Sequence, residues 1–544
     1  MNGADLVLAT LARHGVRHLF GNPGSTELPL IDALTRQGDV EYVLGLHEAA
    51  VMGMADGYAQ ATGGLAVVNV HVQPGIANAL SGVLNAARAR VPLLVTVGQQ
   101  VTGLLQHAPF LGGDVLTPVR GLAVWAGEPR HPDELPGMLA EAMAAALRPP
   151  CGPAVLSLPM DVLVAPATGA PPEVVTPEPP AITTDVVDSA TSVLGAARAP
   201  VILAGDGVAH EGAGEALGRL ADLLGAPVWG EPMAGRVSLP WGHPRWAGQL
   251  PPFAAQIAPI LERHDAVLAV GMPVFRLFGH SPGAAMPGGM PLVHVDADPQ
   301  EIGRSHAPAV GAAGSVRGFL EDLGHRLAGR AAAPPPTAPV VAPQAAAPGD
   351  TITPAVFSAA VAAAVGPDDL LVDESLTSGR GLRAHLRDRR DGTWLAHRGS
   401  ALGWGLPAAV GAKLANPDRR VMVAHGDGSL LFGVHALWTA AHMGLGVAVV
   451  VADNGGYEIL RAGMEGLTGR PEGGWPGLAM RAPRLDVGEI CRGFGASVDR
   501  CAGTGGLEAA LGDLWLRARH GPAVLVVGVE GRTPPVGYPV PPAT

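Results

Sequence analysis

The sequence predicts an α/β protein of three doubly wound, parallel-sheet domains. Short continuous apolar runs, helical patterns between them and two proline-rich breaks in a chain of 544 residues predict it. A chain of this length exceeds what one hydrophobic core organises. The breaks are "APATGAPPEVVTPEPPAI" at 165–182 and "AAAPPPTAPVVAPQAAAPG" at 331–349. Proline at that density reads as an extended linker. The expected domains are 1–165, 183–330 and 350–535.

In chain order, "MNGADLVLATLARHGVRHLF" reads as an amphipathic helix, because charges interrupt its apolar stretch and no basic segment precedes it. "VEYVLGL", "LAVVNVHV" and "VPLLVTVG" follow as buried strands, with "HEAAVMGMADGYAQATG" and "GIANALSGVLNAARAR" between them as helices. The second block carries strands "APVILAG", "APVWGE", "DAVLAVG" and "PLVHVDAD". The third carries "DDLLVDES", "RRVMVAHGDG", "GVAVVVADN" and "PAVLVVGV". In open parallel sheets, ligands bind beyond the carboxyl ends of the strands.

Composition narrows the function. Hydrophobic residues at 48% against 15% charged residues fit a large buried interior. The formal net charge is -12 and no basic stripe is present, which argues against a nucleic-acid partner. No apolar run is long enough to span a bilayer, so no membrane partner is expected and a cytoplasmic location follows. Cys151, Cys491 and Cys501 form neither a metal pattern nor a disulfide framework. The single lysine, Lys413, lies in a helix and not in a phosphate-binding Gly-Lys-Ser/Thr loop, and that context does not suit a Schiff base either. "AGDGVAHEG" lacks the third glycine of a dinucleotide fingerprint and reads as a plain turn.

The chemistry concentrates at two strand ends. Asp427 follows "RRVMVAH" within Gly426-Asp427-Gly428-Ser429, and Asn454 follows "GVAVVVAD" 27 residues later. One helix and one strand fill that interval, so both residues can face one crevice. An Asp carboxylate, an Asn carbonyl and a backbone carbonyl are hard oxygen ligands suited to magnesium. Gly426 and Gly428 let backbone N–H groups approach phosphate oxygens, and a helix starting near Ser429 adds its positive end. The plainer reading, a strand-to-helix turn with Asp as cap, does not account for Asn454-Gly455-Gly456 at that spacing.

These residues resemble the fold signature of the thiamin diphosphate-dependent 2-oxo acid decarboxylases and carboligases. The resemblance extends through "FGNPGSTELP", "LHEAAVMGMADGYAQATG", "VPLLVTVGQQ" and "LGWGLPAAVGAKLA", and runs nearest to the benzoylformate decarboxylase branch. It implies a pyrimidine-binding domain, a central domain and a diphosphate domain, with sites formed between subunits of a homodimer at minimum, commonly a homotetramer. It implies magnesium held by Asp427, Asn454 and the Gly456 carbonyl. Around thiamin diphosphate it places Glu48, Leu402, Ser400, Gly426, Asp427, Gly428, Ser429, Asn454, Tyr457 and Thr377. Glu48 would bond the pyrimidine and sit in a rather apolar pocket, and Leu402 would wedge beneath the cofactor. Asp453 replaces a customary second Asn and is expected to matter little.

On the substrate side, Ser25 would bind the substrate carboxylate and His71 would move protons; a helix-cap serine and a structural histidine are the plainer readings. Phe278 stands where the branch has a second histidine. His280, two residues on, would share its direction if "VFRLFGHSPG" is extended. Ala462 and Gly463 replace large aromatics and are expected to enlarge the pocket. The favoured reaction is non-oxidative decarboxylation of a 2-oxo acid, aryl for preference, to an aldehyde and carbon dioxide. Polar residues around Gln106 and His107 would favour carboligation of the acetolactate synthase kind. Intact Glu48, Asp427 and Asn454 argue against a non-catalytic homologue.

Overall fold

The computed structural model describes residues 1–167, 169–176, 178–329, 350–471, 474–480 and 482–530. The second proline-rich stretch and the carboxyl end of the expected third domain lie outside the described residues. The first sheet contains β1 (His18–Gly21), β2 (Glu41–Leu44), β3 (Ala66–Val70), β4 (Leu93–Gln99), β5 (Trp125–Gly127) and β6 (Pro153–Pro159), in the order β2-β1-β3-β4-β6-β5. The second contains β7 (Pro200–Ala204), β8 (Val228–Gly230), β9 (Trp246–Gln249), β10 (Ala266–Val270), β11 (Leu292–Asp296) and β12 (Val310–Ala313), in the order β12-β11-β10-β7-β8-β9. The third contains β13 (Leu370–Glu374), β14 (Trp394–Ala396), β15 (Val421–Gly426), β16 (Ala448–Asp453), β17 (Ser497–Cys501) and β18 (Ala523–Gly528), in the order β14-β13-β15-β16-β18-β17. Every described pairing within the sheets is parallel.

The first and third sheets share one strand order. Each reverses direction beside its first strand, between β1 and β3 and between β13 and β15. The chain leaves those neighbouring strands in opposite directions, which opens a crevice at their carboxyl ends. The second sheet reverses between β7 and β10.

A shared core joins the first and third domains. Helix Glu48–Thr62 crosses helix Gly405–Ala415 closely enough that a Cβ on Gly57 would meet the Ala408 carbonyl oxygen at 2.1 Å, and one on Gly411 the Met54 carbonyl oxygen at 1.8 Å. Only glycine fits such contacts. Met52, Met54, Leu406 and Val410 are buried around them.

Two expectations change. The opening helix ends at Arg13, Gly15 turns the chain at φ 78°, and His18–Gly21 is strand β1. "AGDGVAHEG" is more than a plain turn: Asp206 is buried there and pairs with Arg398 of the third domain at 2.7 Å. Lys413 closes its own helix by donating to the carbonyls of Pro417 at 2.6 Å and Arg419 at 2.8 Å.

Candidate active site

The β1/β3 crevice gathers the substrate-side residues. After β1 the chain enters a single 3-10 turn, Ser25–Glu27, and after β3 it reaches His71, which caps helix Val72–Ala89 by position only. Ser25 is exposed, whereas Glu27 is 1% exposed. Glu27 Oε2 accepts the Gly24 N–H at 2.7 Å and lies 2.8 Å from His71 Nδ1, while Oε1 accepts the Thr26 hydroxyl at 2.7 Å. A carboxylate only accepts, so Nδ1 carries the proton and Nε2 is left as the working nitrogen. Glu27 is a candidate site residue that the sequence reading missed. Its signal was an acid two residues after Ser25, but its meaning depends on a histidine 44 residues away. The next residue, Val72, holds φ 33°, a conformation strained for a β-branched side chain, and such strain gathers at ligand sites.

Glu48 opens helix Glu48–Thr62 at the same edge. It is half-buried, and its Oε2 accepts from Asn78 Nδ2 at 3.0 Å. Within one chain its surroundings are therefore more polar than the expected apolar pocket. The neighbouring His47 ring stacks on His435 of the third domain with centroids 5.2 Å apart.

The β13/β15 reversal and the adjoining end of β16 gather the cofactor-side residues. Gly426 ends β15 and caps helix Asp427–Gly433, which starts two residues earlier than expected. Asp427 Oδ1 accepts the Gly428 N–H at 2.9 Å and Oδ2 the Gly455 N–H at 2.8 Å. Burial pushes the Asp427 carboxyl up to about 6; the adjacent Asp453 adds to the rise and the two N–H groups offset part of it. Asp453 thus bears on the Asp427 carboxyl, and it is itself tied to Arg484 at 3.2 Å. Asn454 Oδ1 accepts the Gly456 N–H at 3.2 Å, and the Gly456 carbonyl accepts from Glu458 at 3.1 Å. A carbonyl oxygen has two lone pairs, so accepting one N–H does not by itself bar it from ligating a cation.

The donor set fits magnesium with a diphosphate. Among the described residues no three His, Cys, Asp or Glu side chains converge as a metal site, so the charged protein ligand would be Asp427 alone. A buried acid whose proton is held too tightly is the group that a cation would stabilise. Tyr457 lies over Gly428, where a Cβ would meet its ring at 2.8 Å. A Cβ on Gly426 would meet only Ser429 Oγ, at 3.5 Å, which leaves that backbone face open to a phosphate. Ser429, whose hydroxyl meets His425 Nδ1 at 2.9 Å, and Thr377, which follows the neighbouring strand β13, are both buried. Ser400 stands exposed at φ 64°, and Leu402 lies half-buried in the turn before helix Gly405–Ala415.

The central domain supplies an aromatic wall. Residues 278 and 279 form a bend, so the spacing argument for His280 does not hold; its ring is exposed just past that bend. Phe278 packs edge-on to Phe253 with centroids 6.1 Å apart. Phe253 in turn is buried against Ala462 of helix Glu458–Thr468. The small side chain at 462 therefore admits an aromatic ring from another domain instead of only enlarging a pocket.

The two like-ordered parallel sheets define an α/β protein with a ligand-binding crevice at each strand reversal. Family models for the amino-terminal thiamine pyrophosphate-binding domain, the central domain and the carboxyl-terminal thiamine pyrophosphate-binding domain match residues 1–114, 187–323 and 378–527. The chain belongs to the thiamine pyrophosphate enzyme family. It is 35% identical to benzoylformate decarboxylase of Pseudomonas aeruginosa, over 92% of this chain and 94% of that one. It is 29% identical to an acetolactate synthase large subunit of Escherichia coli, over 84% and 82% respectively. Among solved structures, a thiamine diphosphate-dependent 4-hydroxybenzoylformate decarboxylase of Rhodococcus jostii superposes with TM-score 0.89 at 32% identity, covering 99% of this chain and all of that one (100%). Benzoylformate decarboxylase of Polynucleobacter necessarius superposes with TM-score 0.90 at 27% identity, covering 98% and 100%.

Proposed function

We propose that this enzyme decarboxylates aryl 2-oxo acids non-oxidatively, releasing an aldehyde and carbon dioxide. The observation that carries the reading is the Glu27–His71 pair at the β1/β3 reversal, 2.8 Å apart, on the same sheet edge as Glu48. When bound, thiamin diphosphate supplies the nucleophilic carbon and the electron sink that such a decarboxylation needs. In this reading Asp427, Asn454 and the Gly456 carbonyl hold magnesium, while Gly426, Gly428, Ser429, Thr377 and Tyr457 bed the diphosphate. Leu402 and Ser400 lie against the rings, and Glu48 accepts a hydrogen bond from the pyrimidine. Ser25 binds the substrate carboxylate, and His71 Nε2 gives and takes the protons that release the aldehyde. Phe253 and Phe278 favour a flat aryl group beside Ala462. The exposed His280 is left an auxiliary place at the rim.

The site is completed in this reading by a second copy. Among the described residues no hydrogen bond, ion pair or ring contact joins Glu48 or His71 to Asp427 or Asn454 within the chain. Phe110, 98% exposed on the first domain, and Leu460 and Leu467, exposed on helix Glu458–Thr468, offer apolar surface to a partner. A homodimer pairing the first domain of one copy with the third of another, doubled into a tetramer, covers both. No helix among the described residues is long and apolar enough to cross a membrane, and we place the enzyme in the cytoplasm.

A panel of 2-oxo acids assayed for carbon dioxide and aldehyde tests the function. Turnover of aryl substrates ahead of pyruvate is expected. The 29% identity to an acetolactate synthase favours a second reading, carboligation. A 2-hydroxy acid product from pyruvate, with no aldehyde from any aryl substrate, would establish that reading instead.

A further inference from the structure

The reversal point of the third sheet holds a buried acid and imidazole that the proposed chemistry does not use. Glu374 ends β13 and His425 stands opposite it, in register, on β15. They are 1% and 0% exposed. Glu374 Oε2 lies 3.3 Å from His425 Nε2. That approach lies within ion-pair reach but off the hydrogen-bond line, so the contact is electrostatic. On the far side of the ring, Nδ1 meets Ser429 Oγ at 2.9 Å.

The carboxylate's remaining contacts reach a different segment. Gly403 N–H donates to Oε1 at 2.6 Å and Gly405 N–H to Oε2 at 2.5 Å. These amides flank Trp404, in the turn that begins with Leu402. Gly403 holds φ 86°, and a Cβ on it would meet Phe432 Cβ at 2.4 Å. A Cβ on Gly405 would meet Glu374 Cβ at 2.9 Å. Asn85 grips the turn from the first domain, accepting the Ala401 N–H at 3.1 Å and donating to its carbonyl at 2.9 Å. Burial pushes the Glu374 carboxyl up, but the His425 ring and the backbone donors outweigh it and hold the group below its ordinary range.

We propose that Glu374 is a positioning residue that locks the two halves of the cofactor bed to each other. Through Gly403 and Gly405 it sets the height of the Leu402 turn. Through His425 and Ser429 it fixes that turn against helix Asp427–Gly433, which carries the diphosphate side. Glu374 and His425 are buried against Gly403, Gly405 and Ser429, so they would act through those segments. The charge is required because one carboxylate must accept from two backbone N–H groups at once. A glutamine amide has a single acceptor oxygen, and its NH₂ would face a backbone N–H donor to donor. The inference rests on the cofactor reading above, and its test separates the two.

Full-length Glu374→Gln and His425→Gln proteins should be titrated with thiamin diphosphate and magnesium by calorimetry, then assayed for kcat and KM. Glu374→Gln is expected to weaken cofactor binding and lower kcat by about 10–100-fold, the range found when a partner that orients a ligating group is lost. KM for the 2-oxo acid should change far less. His425→Gln, which leaves both glycine contacts in place, should show the same pattern more weakly and carries the test if Glu374→Gln does not fold. A purely structural role would lower the melting temperature yet leave Kd and kcat of the folded variants at parent values, and that result would overturn the proposal. A parent that binds no thiamin diphosphate would overturn the cofactor reading and this inference with it.

Discussion

Asp427 ties one residue's electrostatics to the metal question. Its carboxyl is pushed up to about 6 chiefly by burial, so near pH 5 it is largely protonated and near pH 7.5 largely charged. A cation binds the charged form. Affinity for magnesium and thiamin diphosphate should therefore rise from pH 5 to 7.5, with protons released on binding at the acid end. Asp427→Ala should abolish magnesium-dependent binding in calorimetry; a variant with parent affinity would place the metal elsewhere. Next to this site-bound acid, His71 and His280 differ in setting. His71 is oriented by Glu27 at 2.8 Å, whereas His280 is exposed just past a bend. His71→Ala should cost about 10²–10⁴-fold in kcat/KM, and His280→Ala about tenfold at most. Equal losses would mean that the Glu27 contact does not select the working histidine. At this scale, Asp427, Asn454, Glu48 and His71 were legible as candidates because each follows a strand in a recognisable local run. Glu27, Phe253 and Glu374 were not, because each takes its role from a partner on another strand or in another domain.

At the scale of elements, the crossing of helices Glu48–Thr62 and Gly405–Ala415 buries a carboxyl. Asp56 accepts from Gln60 at 2.7 Å, while its Oδ2 finds no hydrogen-bond partner; the Trp404 indole is a near neighbour outside hydrogen-bond geometry. Burial raises this carboxyl from 3.8 to about 6, against the weaker lowering by Gln60 and Trp404. The folded chain thus binds this proton more tightly than the unfolded chain. Stability is highest below the unfolded value and falls as pH rises from near 4 to about 6, by roughly 3 kcal/mol at 1.36 kcal/mol per unit. Asp56→Asn removes the charge and leaves one N–H poorly paired. It should stabilise the protein by roughly 1–3 kcal/mol at pH 7.5 and by almost nothing at pH 4. Chemical denaturation at both pH values checks this; equal effects at both would mean that the carboxyl is not neutral in the fold. Strand legibility follows burial as well. The interior strands β3, β4, β7, β10, β16 and β18 are buried along nearly their whole length and read as continuous apolar runs. β5, β9, β12 and β17 are edge strands, largely half-buried or exposed, and carry no such run. β1 was hidden differently: its four residues continue the apolar pattern of the preceding helix, and only the short turn 14–17, with Gly15 at φ 78°, separates them.

At the scale of the molecule, the question is whether one chain can hold a working site. The first and third domains are locked together through buried helices, so their two crevices cannot swing onto each other without breaking that core. In the proposed twofold assembly, the first domain of each copy would face the third domain of the other and two equivalent sites would form. Mixing two inactive variants distinguishes the arrangements. Glu48→Gln disables every site that uses that chain's first domain, and Asp427→Ala every site that uses that chain's third domain. If sites form between copies, a mixed dimer holds one doubly disabled site and one built wholly from unaltered residues. Random exchange makes about half of the dimers mixed, each with one working site of two, so about a quarter of parent activity should return. If each site lay within one chain, every site would carry one lesion and mixing would restore nothing. Turnover of an aryl 2-oxo acid, measured before and after subunit exchange and compared with each variant alone, reads the outcome directly. Native mass spectrometry of the same mixture, with one variant carrying a mass-distinct affinity tag, shows whether exchange took place, so absent recovery in a fully exchanged sample would rule out the shared site.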